Sequence, residues 1–139
     1  MAQPIPDLWP DIEQSQVVPP VAILREQAAL LGKKTDHLLE GRVVTRTTGS
    51  GGFVHSFYIV APTLDDYAYK LFEISHGVDP YPVLVPALLH RGALGQVVPV
   101  GGPQLASEQE LLDYIRRILN SDETMRVVGS LLAQVKATS

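Results

Sequence analysis

The chain has 139 residues, of which 45% are apolar and 19% charged, enough for one domain with a packed core and no covalent staples. It has no cysteine, which excludes disulfides, thiolate metal sites and cysteine nucleophiles and suits a reducing, cytoplasmic location. The formal net charge is −4 and the eleven Lys and Arg are scattered, so the basic stripe of a nucleic-acid partner is missing.

Residues 1–6 have neither the basic nor the apolar region of a secretory signal. The apolar run 83–89 is too short for a membrane span and contains Pro86. No membrane partner, cofactor or small-molecule ligand is expected.

Residues 1–20 contain five of the eleven prolines, three acids (Asp7, Asp11, Glu13) and no base. Proline fixes φ and biases its predecessor toward extended backbone, so residues 1–18 are expected to form an extended arm ahead of a single domain over 19–137. The arm is too apolar for a solvated tail: it carries Leu8, Trp9, Ile12, Val17 and Val18, and Trp9 is the only tryptophan. Two readings of Trp9 stay open, packing on its own domain or reaching a second subunit or another protein.

Residues 20–40 read as a helix. Pro19-Pro20 suits its start and Gly41 its stop. Val21, Leu24, Ala28, Leu31, Thr35 and Leu38 form an apolar stripe, interrupted by Gly32, that suits packing on a sheet. Residues 42–90 read as an antiparallel meander. Its strands are 42–48, 53–61, 67–76 and 81–89, joined by the glycine-rich loop 49–52, the turn 62–66 and the turn 77–80.

Side-chain alternation puts Phe53, His55, Phe57 and Ile59 on one face and Val54, Ser56, Tyr58 and Val60 on the other. It likewise sets Phe72 and Ile74 against Tyr67, Tyr69 and Leu71. Both faces are substantially apolar, which predicts that the second is covered too, by the C-terminal helices or by another subunit. Residues 91–106 form a loop-rich connector in which 96–100 can add a short fifth edge strand, Pro99 arguing against a central one. Two helices follow. Ser107 and Glu110 make a capping box, and Ser121 caps the second helix after the break at Asn120. The expected fold is α+β, with one helix before a four-stranded meander and two after it. The first helix is placed on one face of the sheet, the C-terminal pair on the other face or at an edge.

Chemical signatures are sparse. Gly32-Lys33-Lys34-Thr35 matches the last residues of a phosphate loop, but Gln27 stands where the earlier glycine is needed and the segment reads as helix. The loop 49–52 lacks the following helix that gives anion-binding loops their affinity. None of His37, His55, His76 and His90 belongs to a short zinc-binding pair.

If strands 53–61 and 67–76 pair, His55 and His76 approach each other, with Glu73 or Asp79 as the acid of a metal-assisted hydrolase. A nuclease core wants Glu-x-Lys, whereas here Lys70 precedes Glu73 by three residues, on the opposite face of a regular strand. Ser50 lacks the spacing of a nucleophile elbow, and Ser75 and His76, being adjacent, point apart.

The sheet is rich in tyrosine, and Tyr58, Tyr67 and Tyr69 join Leu8, Trp9 and Ile12 as candidate interface residues. Two functions are therefore carried forward. One is a non-enzymatic interaction domain, a homodimer or an adaptor-, chaperone- or immunity-like protein partner, with self-association the simplest form. The other is a small metal-assisted hydrolase or nuclease built on His55, His76, Glu73 and Asp79.

Overall fold

The computed structural model describes residues 3–86, 88–91, 97–100 and 104–138. The fold is α+β: helix α1 (Pro20–Lys34), an antiparallel meander of β1 (Glu40–Thr47), β2 (Phe53–Ala61), β3 (Tyr67–His76) and β4 (Val83–Leu84), then helices α2 (Glu108–Leu119) and α3 (Asp122–Thr138). Two further strands, β5 (Leu88–Arg91) and β6 (Val97–Val100), pair with each other in a separate two-stranded sheet. The short strand β7 (Gln104–Leu105) closes the main sheet, whose order is β1-β2-β3-β4-β7.

Two strand assignments are thus corrected. The expected fourth strand 81–89 is divided between β4 and β5, because Pro82 and Pro86 flank β4 and proline donates no ladder hydrogen bond. The fifth strand of the main sheet is β7, whereas Val97–Val100 pairs with β5. The rest of the expected connector, 92–96 and 101–103, lies outside the described residues.

Helix α1 begins where Pro20 tolerates the missing N–H of a first turn, and it stops at Lys34, short of residue 40. Thr35 ends it: its hydroxyl oxygen accepts from Leu39 N at 3.1 Å, while Asp36 and His37 turn left-handed at φ 51° and 62°. Leu38 therefore leaves the helical stripe. The buried seam of α1 is Leu24, Ala28 and Gly32, four residues apart, together with Ile23. Gly41, expected as the helix stop, instead sits in β1, where a Cβ would lie 2.4 Å from Ala28 Cα. A side chain there would push α1 off the sheet.

The faces of the sheet follow from its register. Phe57 pairs with Phe72, but Tyr58 pairs with Lys70, so Leu71 is an extra residue in β3. This bulge reverses the phase of β3. Ile74 and Phe72 therefore share a face with Tyr69 and Tyr67, and opposite them on β2 stand His55, Phe57, Ile59 and Ala61. The expected separation of Phe72 and Ile74 from Tyr67 and Tyr69 is corrected accordingly.

All three helices cover this one face. Leu24 and Ala28 of α1, Leu111 and Ile115 of α2, and Val127, Leu131 and Val135 of α3 form a single core with Phe57, Ile59, Phe72, Ile74 and Val83. The C-terminal helices do not lie on the opposite face, where Arg42, Arg46, Lys70 and Glu73 stand beside Val44, Val54, Ser56, Tyr58 and Val60. At the centre of the core Phe57 stacks on Phe72, ring centroids 5.4 Å apart and planes within 9°, an arrangement that adds about 0.5–1.5 kcal/mol to simple burial.

The helix caps match their sequence signals. Ser107 Oγ accepts from Glu110 N at 3.3 Å, and the Glu110 carboxylate accepts from Ala106 N, one residue earlier than a regular capping box. Ser121 Oγ accepts from Thr124 N at 3.2 Å and starts α3.

Two glycine substitutions separate packing from propensity. Gly41→Ala is expected to destabilise the protein by about 1–3 kcal/mol through overpacking against Ala28. Gly129→Ala, inside α3 with open space where the methyl would go, is expected to stabilise it by about 0.5–1 kcal/mol. Urea unfolding midpoints check both, and equal shifts in one direction would contradict the packing argument.

Candidate functional site

Two features are candidates, a histidine pair in the sheet and an apolar arm beside an apolar groove. Three strands build the pair. Antiparallel register sets Thr45 of β1 opposite His55 of β2, and His55 opposite Ile74 of β3, one pleat from His76. His55 Nε2 and His76 Nε2 are 2.8 Å apart, Thr45 Oγ1 lies 2.8 Å from His55 Nδ1, and His76 Nδ1 lies 2.7 Å from the Gly77 carbonyl oxygen.

These contacts fix the protons of the neutral pair. The Gly77 carbonyl only accepts, so His76 Nδ1 carries the hydrogen and His76 Nε2 accepts from His55 Nε2–H. His55 Nδ1 then accepts from the Thr45 hydroxyl. Burial first, then the neighbouring His76 and Arg25 on α1, push the His55 pKa down from 6.5 to about 4. His55 is only 3% exposed and, like every buried polar side chain among the described residues, has its partners.

The acids proposed for a hydrolase do not join the pair. Glu73 faces the other side of the sheet, where it accepts from Ser56 Oγ at 3.2 Å and pairs with Lys70, with Arg46 Nη1 at 3.9 Å. The hydrogen bond from Lys70 holds the Glu73 carboxyl below its usual range. The Leu71 bulge brings Lys70 and Glu73 onto one face, which corrects their expected separation. Asp79 is exposed in the turn after β3. Among the described residues, no group of three or more His, Asp or Glu side chains could hold a metal ion.

The arm stands clear of the body. Ile5, Leu8, Trp9 and Ile12 are 76–89% exposed. Its base is held where the Tyr81 hydroxyl donates to the Val18 carbonyl at 3.1 Å, just before the extended Pro19. The candidate interface tyrosines divide between faces. Tyr58 lies on the polar face, whereas Tyr67 and Tyr69 lie on the helix side, Tyr69 donating to Glu123 Oε1 at 3.2 Å.

Also on the helix side, α1, α3 and the end of α2 border a groove of about 490 Å³ that reaches Phe57, Ile59 and the bulged Leu71. Leu30 and Leu31 wall one side, Met125, Val128 and Leu132 the other, and Lys34 is the one charged residue among the described lining. Three contributors here escape a reading by residue type. Thr45 is visible only once β1 and β2 are paired across the glycine loop, Arg25 only once α1 is docked, and Leu71 has no local signal at all.

The folded-state pKa of His55 lies below the unfolded value, so between about pH 4 and 6.5 the unfolded chain holds a proton that the folded chain does not. Stability is therefore complete above pH 6.5 and is expected to fall by about 1–2 kcal/mol toward pH 4, allowing for solvent screening. Urea unfolding at stepped pH checks this, with His55→Phe expected to flatten the decline in that window.

No known family model matches the chain, and no curated protein or solved structure matches it.

Proposed function

We propose that this chain is a non-enzymatic protein-interaction domain whose arm, residues 3–18, is its binding element, with a second copy of the chain as the simplest partner. One observation carries the reading: Leu8, Trp9 and Ile12 stand 76–82% exposed on a segment that forms neither helix nor strand. Large apolar side chains clustered on one segment and left in water mark an interaction site, since scattered single residues are normal but a contiguous set is not. Tryptophan is also the residue most enriched among binding hot spots.

The segment suits this task. Its prolines keep it extended before binding, so less conformational entropy is lost when it docks. Its acids keep it soluble when free, and its apolar residues contribute nothing to the core of their own domain, which starts at Pro20.

The histidine pair supports the same choice by its chemistry. All four ring nitrogens are engaged with protein atoms, so a general base or metal ligand is obtained only by breaking the chain from Thr45 to Gly77. The acids that a hydrolase would need stand elsewhere.

Light scattering tests the proposal. The full chain is expected to show twice its 15.1 kDa mass at micromolar concentration, and a chain beginning at residue 19 is expected to be monomeric. The same dimer for both would remove the arm from the interface. A monomer for both would remove self-association altogether.

A further inference from the structure

We infer that the arm of one copy docks in the α1/α3 groove of a second copy, seating Trp9 over Leu71 between Leu30 and Met125. The inference rests on the arm being an interaction element and adds the surface that receives it.

The groove is chemically matched to the arm. Its volume of about 490 Å³ accommodates an indole with a neighbouring aliphatic side chain, and hydrocarbon dominates its floor and walls. Met125, 52% exposed at its mouth, is flexible and polarisable and makes favourable contacts with aromatic rings. Charge agrees as well. Asp7, Asp11 and Glu13 flank the apolar residues of the arm with no base among them, and Lys34 at the end of α1 is the one charge in the described groove lining, next to Lys33. Acids beside the anchor meet cations beside the pocket, which selects orientation and speeds encounter.

The bulge contributes to the match. A regular β3 would leave Leu71 among polar residues on the far side of the sheet, whereas the extra residue turns its side chain into the groove floor. Docking would thus cover an apolar surface that the domain's own helices leave open.

The junction favours a second copy over the arm's own groove. That groove runs along α1 from Gln27 to Thr35, so docking in cis requires the chain to double back just before Pro20. Pro19 sits there at φ −73° and ψ 151°, Pro20 follows it, and the Val18 carbonyl is bonded to Tyr81. Proline and its effect on the preceding residue hold this junction extended. Ile5, Leu8, Trp9 and Ile12 are exposed and so lie outside their own groove, which leaves the arm free to reach a neighbour's.

Because Trp9 is the only tryptophan, its fluorescence reports docking directly. Four full-length chains suffice: wild type, two groove variants of which the first is Met125→Glu, and an arm variant Leu8→Ser/Trp9→Ser/Ile12→Ser, each checked for folding by circular dichroism. Lys34→Glu serves as a second groove variant. Wild type is expected to be dimeric with emission that shifts to the blue as concentration rises. Each groove or arm variant is expected to dimerise about tenfold or more weakly.

Mixing the Met125→Glu chain, whose arm is intact, with the arm variant, whose groove is intact and which has no tryptophan, should restore a one-to-one complex and the blue shift. If wild type is dimeric but both groove variants dimerise equally well, the arm binds elsewhere and this inference falls while the proposed function stands. A monomeric wild type with emission typical of exposed tryptophan overturns both. A monomeric wild type with blue-shifted emission at every dilution places the arm in cis and overturns the second copy.

Discussion

A ten-residue strand that alternated without interruption would place Phe72 and Ile74 on one side of the sheet and Tyr67 and Tyr69 on the other. Such a sheet has two half-apolar faces and needs two covers. The extra residue at Leu71 removes that demand by reversing the phase midway, so that the large apolar side chains of β3 look toward the helices along its whole length. One cover is then enough, and α1, α2 and α3 share a single core. The opposite face carries no helix and mixes buried Val54 and Val60 with charged side chains, and the Lys70–Glu73 pair exists only because the bulge brings its partners to one side.

Seating the helices on one face sets a second constraint, how close they can come. Helix α1 lies on β1 at the one position in that strand with no side chain, and Gly41 meets Ala28 across the contact. Close approach there fixes the angle and height of α1. Helix α3 is set by the short 3-10 turn Pro62–Leu64 between β2 and β3 and by Ser121, which bonds both into α3 and back to the Ile118 carbonyl. With both helices fixed at their ends, the space between them is not closed by their own side chains, and the groove over Leu71 follows from that geometry.

The elements were legible in the sequence to the extent that they rest on local signals. Pro20 marks the start of α1, Ser107 and Ser121 mark α2 and α3, and the glycine loop with Gly51 at φ 86° marks the first hairpin. What was not legible depends on pairing. A bulge has no residue code, so the faces of β3, the company of Lys70 and Glu73 and the side on which α2 and α3 lie could not be read from alternation. The end of α1 was misplaced because Thr35, Asp36 and Leu38 fit a helical stripe by type, while the hydrogen bonds from Leu39 N to Thr35 Oγ1 and from His37 N to the Gly32 carbonyl terminate it. The approach of His55 to His76 follows from simple hairpin pairing and was legible. Their third neighbour Thr45 needed the other hairpin as well.

The histidine pair also shows why proximity of reactive groups is a weak guide to chemistry. A general base needs a nitrogen that can reach substrate, and a metal ligand needs a lone pair with no proton opposite it. In this pair each lone pair is already answered, by Thr45 Oγ1 on His55 Nδ1 and by His55 Nε2–H on His76 Nε2, and each N–H is spent on the next acceptor. Such a chain crosses β1, β2, β3 and the turn at Gly77, tying the hairpin end of the sheet where backbone pairing gives out. The low pKa of His55 fits this use: a ring kept neutral by burial and by Arg25 preserves the donor–acceptor order on which the tie depends. Among the described residues, the large exposed apolar side chains concentrate in the arm, and the groove between α1 and α3 is lined mainly by apolar residues. That distribution is the observation on which the proposed interaction role rests.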